Sequence, residues 1–437
     1  MLRQSLQPLL RPLLRRIDEQ ASGGLVPSMS LNFLSDASLD TRVTFTRASS
    51  ATRVNSSGLI ETVASNAPRF DYNPVTLQPK GLLIEEQRTN IIRNNTMVGA
   101  AAGTPGTLPT NWSRPNQSSG LTLTTSYVTS YGVPCLRMRF FGTTAGTSGN
   151  ETIEFETRTS ISANSGQTWT SSFYYQLVSG AVPSGLSFNC RVLTFNSSNT
   201  LVDNLPILSP APTATLQRAL ATVTSSAGVG TGGFITSSVH MSAWPTNTAV
   251  DFTLDLFMPQ LEQGEFATSV IPTSGTAATR AADIATMTGT NFSSWYRQDE
   301  GTFFTDIQGT SIISGATRRG IEVNDGSVAN RHIVGYNESG SRAITVVSNV
   351  FVTNLTVSAA IGSPLRIAYG YVASGSASTV NGSLPALGSP ASIPSVNQMR
   401  LGADANTTIG TVLNGHIRRI AYYPRRLSNT ELQAITS

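Results

Sequence analysis

Along most of this chain apolar and polar residues alternate one by one, the period of a β-strand with one buried face. The cleanest run sets Val250, Phe252, Leu254, Leu256 and Met258 against Asp251, Thr253 and Asp255. Leu136, Met138 and Phe140 form another such face, as do Trp169, Phe173 and Tyr175, and then Leu186, Phe188, Cys190 and Val192. After Gly301 the pattern returns in GTFFTDIQG, SRAITVV and LRIAYGYV, and Asn381-Gly382 predicts a two-residue hairpin turn. Ser428 to Glu431 predicts a capping box that opens one short C-terminal helix. Gly, Pro and Ser clusters separate the runs, and no repeat of about 20–50 residues is present, which disfavours a solenoid. The pattern predicts antiparallel β-sandwiches.

The N-terminus breaks the pattern. In MLRQSLQPLLRPLLRRIDEQ, Leu2, Leu6, Leu9, Leu13 and Ile17 recur at helical spacing, opposite Arg3, Arg11, Arg15 and Arg16. Pro8 and Pro12 interrupt any regular helix. Arg11 and Arg15 break the apolar core that a secretory signal needs. The expectation is a short helical arm that orders against another protein. No run approaches the about 18 apolar residues of a membrane span.

Composition narrows the partners. Charged residues are only 12%, and 37 Gly and 22 Pro accompany an excess of Ser, Thr and Asn. Lys80 is the only lysine, so 28 of the 29 basic residues are Arg. A net charge of +4 over 437 residues is too dilute for nucleic acid, which needs a clustered basic stripe. The scattered arginines predict solvated faces and ion pairs. Cys135 and Cys190 match no zinc spacing and either meet across strands or stay free and buried. His240, His332 and His416 are too far apart for a metal motif.

Candidate chemistry is sparse. Glu85 and Glu86 are adjacent, so on a strand they face opposite sides and are structural rather than an acid/base pair. Glu154 and Glu156 share one strand face with Thr152, and Asp251 and Asp255 share another. A glycosidase needs two carboxylates across a cleft, and these pairs instead predict solvent-facing strand charges. No G-x-S-x-G elbow appears, and the glycines around Gly228–Gly233 lack the lysine and helix of a phosphate cradle. No catalytic set and no cofactor is assigned, although Asp251 and Asp255 could hold a structural Ca²⁺ with an incomplete ligand set. Sugar sites combine an aromatic platform with amide, carboxylate or guanidinium partners. Among aromatics in turn-rich stretches, Trp244, Tyr131 and Trp112 are the ligand-binding candidates, with Trp295, Tyr296 and Tyr336 behind them. Trp244 leads because Pro245 and a polar run follow it, and it is either a loop platform or core.

TFTRASSATRVNSSGLI, APRFDYNP and GLLIEEQRTN resemble the N-terminal region of fibre and receptor-binding proteins of tailed-phage virions. QLEQGEFATSVIPTSGTAATRAAD and NWSRP resemble the exit and entry of the carbohydrate-binding, jelly-roll-like module of such proteins. VNGSL and GHIRRIAYYPRRLSNTELQAIT are similar to concanavalin-like (laminin G-type) lectin sandwiches. The resemblance implies an all-β chain with two jelly-roll-like sandwiches in tandem after a docking region. The expected divisions are 1–92, a virion-docking arm and β-rich anchor; 93–284, a carbohydrate-binding-like sandwich; and 285–437, a lectin-like sandwich. It implies a virion protein on the tail or head surface that acts by recognition and carries out no chemistry. The implied partners are a host cell-surface polysaccharide, other virion proteins through the N-terminal region, and sister chains in a homotrimer. No membrane insertion is expected. The alternatives are a polysaccharide depolymerase on the same folds and a purely structural decoration protein.

Overall fold

The computed structural model describes residues 25–36, 38–309 and 315–437, and the helical arm expected over Leu2–Ile17 lies outside them. The chain is all-β, built from antiparallel sandwiches as its alternation predicts. In the first sandwich one sheet runs in the order Gln217–Thr224, Thr168–Gly180, Ala249–Gln263, Val133–Thr143 and Thr122–Ser130. The facing sheet runs Leu201–Leu208, Ser187–Phe195, Gly233–Ser242, Glu151–Glu154 and Ser113–Gln117, with Ser162–Ala163 on Gly233–Ser242. Leu136, Met138, Phe140, Phe173, Phe188, Leu254 and Leu256 close the core between them, each almost fully buried. Burying one such side chain stabilises by about 1.5–3 kcal/mol, so the alternating faces account for the pairing of the two sheets.

The second sandwich does not begin at residue 285. Its larger sheet runs Ala386–Gly388, Ser376–Val380, Leu365–Val372, Glu300–Gly309, Gly415–Tyr423, Pro79–Ile84 and Phe70–Tyr72, and Met29–Asn32 also pairs with Gly415–Tyr423. Its other sheet starts with Thr44–Thr46 beside Ile284–Thr288 and continues through Gln398–Leu401, Arg318–Asn324, Arg331–Asn337, Gly340–Val347 and Val350–Val357. The expected separate anchor over 1–92 is therefore corrected for its described part. Met29, Leu31, Phe45, Phe70, Leu82 and Ile84 lie in one core with Phe303, Ile417 and Tyr422. The physical reason is the edge of Gly415–Tyr423, whose unpaired N–H and C=O groups these early strands satisfy.

A buried ionic hub joins this early segment to the exit of the first sandwich. Arg47 and Arg69 both contact Asp283, and Arg69 also meets Glu85 at 2.8 Å. Glu86 pairs with Arg88 at 2.6 Å, on the other side from Glu85, as their adjacency predicts. The arginines expected on solvated faces include six that are buried: Arg47, Arg69, Arg191, Arg280, Arg318 and Arg319. Cys135 and Cys190 are free and buried in separate clusters. Asn381 and Gly382 both take positive φ, as a primed turn requires, and Ser428 with Glu431 closes the capping box.

Candidate functional site

Trp244 is not a platform. Its side chain is 2% exposed and packs 6.1 Å from both Phe140 and Phe252, while Nε1 donates to the Met241 carbonyl at 3.3 Å. Ala243 takes φ +57, and this left-handed residue precedes the indole that tucks back into the core. Trp112 is buried in the same core, edge-on to Phe155 at 5.0 Å, and donates from Nε1 to the Asn94 carbonyl at 2.7 Å. Tyr131 is half-buried at the turn between Thr122–Ser130 and Val133–Thr143, stacked on Phe257 at 6.0 Å. The structure thus places the two tryptophans in one core and Tyr131 in another cluster, and brings none of them to a common surface.

The carboxylates are equally occupied. Glu154 and Glu156 are buried rather than solvent-facing, held by Arg158 at 2.8 Å and Arg93 at 2.6 Å. Both oxygens of Asp255 accept from Arg137, and both oxygens of Asp251 accept from Arg139. Arginine neutralises the carboxylates that Ca²⁺ would need, so the Asp251–Asp255 pair does not fit the ion. Among the described residues no group of three or more His, Cys, Asp or Glu could hold a metal.

A hollow of about 560 Å³ opens instead on the second sandwich, lined by Phe292, Tyr296, Val396 and a polar set that includes Thr288, Ser293, Gln298, Asn397 and Gln398. The short helix Thr290–Ser293 brings Phe292 down, and Tyr296 stacks on it at 4.6 Å with planes 28° apart. Tyr422 supports Tyr296 from below at 5.4 Å, and burial pushes the Tyr296 hydroxyl well above its ordinary pKa. The Gln298 amide is fixed by the Pro394 carbonyl and the Val396 N–H, and Gln398 Nε2 donates to Asn324 Oδ1 at 2.7 Å. The side chains of Thr288, Ser293 and Asn397 make no hydrogen bond among the described residues, which leaves them for a ligand. Phe292 is 2% exposed and packs behind Tyr296, so half-buried Tyr296 is the aromatic surface that a sugar C–H face could meet while its hydroxyls bond to the amides and hydroxyls of the rim. None of the lining residues is a carboxylate or a histidine.

Sequence reasoning named Tyr296 but missed its companions. NFSSWYRQDE shows the aromatic cluster plainly, but Asn397 and Gln398 lie about a hundred residues further on. Only the ladder that sets Thr288 opposite Gln398 brings the two stretches together.

No family model matches the chain, and no curated protein matches it significantly. Among solved structures it is similar to the Ruminococcus gnavus IT-sialidase CBM40 bound to alpha2,3 sialyllactose, at 19% identity over 32% of this chain and 84% of that one, TM-score 0.28. A Trypanosoma rangeli sialidase in complex with the inhibitor DANA matches at 10% identity over 72% of this chain and 62% of that one, TM-score 0.28. The enzymatically active domain of Bacteriophage CBA120 tailspike protein 4 matches at 10% identity over 36% of this chain and 20% of that one, TM-score 0.25. The expectation of recognition without chemistry is corrected here, because two of these three partial likenesses are to enzymes. Among the described residues no helix is long and apolar enough to cross a membrane.

Proposed function

We propose that the chain is a carbohydrate-binding adhesion protein of a tailed-phage virion, held to the particle by the segment before Leu25 and presented as a homotrimer. Its ligand in this reading is a host cell-surface polysaccharide. The observation that carries the reading is the hollow over Phe292 and Tyr296, with unbonded Thr288, Ser293 and Asn397 on its rim. Weak single sites become effective through repetition, since linked copies raise the effective concentration without new contacts.

The test is titration of host capsular polysaccharide into the full-length protein and into Asn397→Ala and Ser293→Ala. Both positions are exposed, so melting should be unchanged while binding weakens several-fold. Unaltered affinity in both variants would overturn the hollow as the site. New reducing ends released from the same polysaccharide would show cleavage in addition to binding.

A further inference from the structure

The outer face of the six-stranded sheet carries a feature that packing does not explain. Strand alternation sends Ile153, Val239 and Cys190 into the core of the first sandwich. It leaves Asn116, Thr152, His240 and Asn189 in one row across the opposite face, with Glu154, Ser238 and Arg191 in the next. Arg191 is 6% exposed. Of the six buried arginines among the described residues, the other five meet a carboxylate within 4.0 Å, and Arg191 has no such ion pair. Its Nε donates to Ser238 Oγ at 3.3 Å and its Nη2 to Thr152 Oγ1 at 3.4 Å. A guanidinium has five N–H groups, so three are left: both on Nη1 and one on Nη2. Those remaining donors form the flat two-nitrogen edge that matches a carboxylate.

The neighbours sharpen this. Glu154 attracts Arg191 from a distance, but Arg158 already holds its carboxylate at 2.8 Å. Two guanidinium groups against one carboxylate leave the patch with one net positive charge. Thr152 Oγ1 lies 3.3 Å from Asn116 Nδ2 and 2.8 Å from His240 Nδ1, besides its contact with Arg191. A hydroxyl has two lone pairs and one hydrogen. The amide and the guanidinium occupy the lone pairs, so the hydrogen goes to His240 Nδ1. The imidazole therefore carries its own hydrogen on Nε2. Burial, together with the charge of Arg191, pushes its pKa down to about 4, which keeps it neutral at pH 7.

We propose that this face of the first sandwich is a second sugar site and that it takes an acidic sugar, with the sugar carboxylate on the unpartnered Nη1–Nη2 edge of Arg191 and His240 Nε2 as a further donor beside it. The site is separate from the hollow, and it rests on the reading of the chain as a carbohydrate binder. A carboxylate there supplies the charge partner that the other buried arginines have within the protein, and so offsets the cost of a buried unpaired cation.

The experiment is calorimetric titration of the full-length protein with galacturonate oligomers and with sialyllactose, each beside its carboxyl-reduced form, and with a sulfated lactose. The acidic sugars should bind, and carboxyl reduction should weaken binding at least about tenfold, the loss of one charge-assisted pair. Arg191→Met should weaken the acidic sugars by a similar factor while leaving the melting temperature equal or higher, because it removes an unpaired buried charge. Arg191→Lys should also lose affinity, since an ammonium lacks the planar edge. Equal binding of acidic and reduced forms overturns the proposal and leaves the hollow untouched. Equal binding of the sulfated sugar overturns the carboxylate preference. Absence of binding by every acidic sugar overturns the site itself, while the capsular polysaccharide titration with Asn397→Ala judges the hollow separately.

Discussion

His416 Nε2 lies 2.8 Å from a carboxylate oxygen of Asp71, which stands 345 positions earlier in the chain. The contact is buried, and it seats the early segment on the strand Gly415–Tyr423. Lys80 Nζ approaches the same carboxylate at 3.3 Å, and the Val54 N–H donates to its other oxygen at 2.8 Å. Early and late residues thus share one charge arrangement, as well as one core.

That arrangement predicts an acid-sensitive fold. Burial alone would raise the Asp71 carboxyl, but the bond from His416 and the charge of Lys80 outweigh it and hold the group at about 2, against an ordinary 3.8. Burial pushes His416 below its ordinary 6.5. Both groups take up protons more readily in the unfolded chain, so their contribution is full above about pH 6.5 and falls on acidification. His416 accounts for the first loss, and Asp71 for the loss from about pH 4 down to about pH 2, on the order of 2 kcal/mol. Urea unfolding across this range should show the decline, and Asp71→Asn should flatten its acid end. An identical profile in Asp71→Asn would contradict the assignment.

The shared core also predicts which fragments fold. Residues 285–437 expressed alone lack Met29–Asn32 and Pro79–Ile84, both of which pair with Gly415–Tyr423. That fragment should give no cooperative melt and no native near-ultraviolet circular dichroism. Removal of residues 1–24 should leave the melt in place, whereas a cut after residue 30 takes Met29, which is 1% exposed, out of the core. A cooperative melt from 285–437 alone would show that the early strands are dispensable.

The same non-local pairing explains what alternation could and could not reveal. The run Val250 to Leu256 reads correctly because one face of a strand meets one core. The next expected member, Met258, takes φ +51 opposite a register shift at Ser172 and Tyr174, and it joins Phe257 in a different cluster. A bulge of this kind turns a side chain aside without changing the sequence pattern. The pairing of Leu82 with Ile417 joins strands more than 300 residues apart, and nothing local in either strand names its partner. Trp244 misled for a related reason. Pro245 and polar residues do mark a turn, but a turn bordering a core can fold its aromatic inward.

Trp244→Ala should therefore act on stability and not on a sugar platform. Loss of a buried indole costs about 3–5 kcal/mol, the removed burial plus the cavity left against Phe140 and Phe252. The melting temperature should fall markedly. Polysaccharide affinity measured well below the new midpoint should match the parent protein. Unchanged melting with weakened binding would restore the platform reading.

The ionic hub yields the last expectation. Asp283 is fully buried, and its two oxygens serve Arg47 and Arg69 while its Oδ2 also accepts from the Glu85 N–H at 2.9 Å. Asp283→Asn keeps the shape but removes the charge, leaving three buried guanidinium groups, those of Arg47, Arg69 and, at 4.0 Å, Arg280, with one fewer carboxylate. Breaking a buried pair in this way costs about 3–5 kcal/mol, most of it the cost of the charge left behind. Arg69 still has Glu85, whereas Arg47 has no other ion pair among the described residues, so Arg47 bears the greater part of the loss. Arg47→Met should then recover stability when combined with Asp283→Asn, although each single change destabilises. A double-mutant cycle by urea unfolding measures the coupling between them. Strict additivity of the two changes would mean that the pair does not hold the early segment in place.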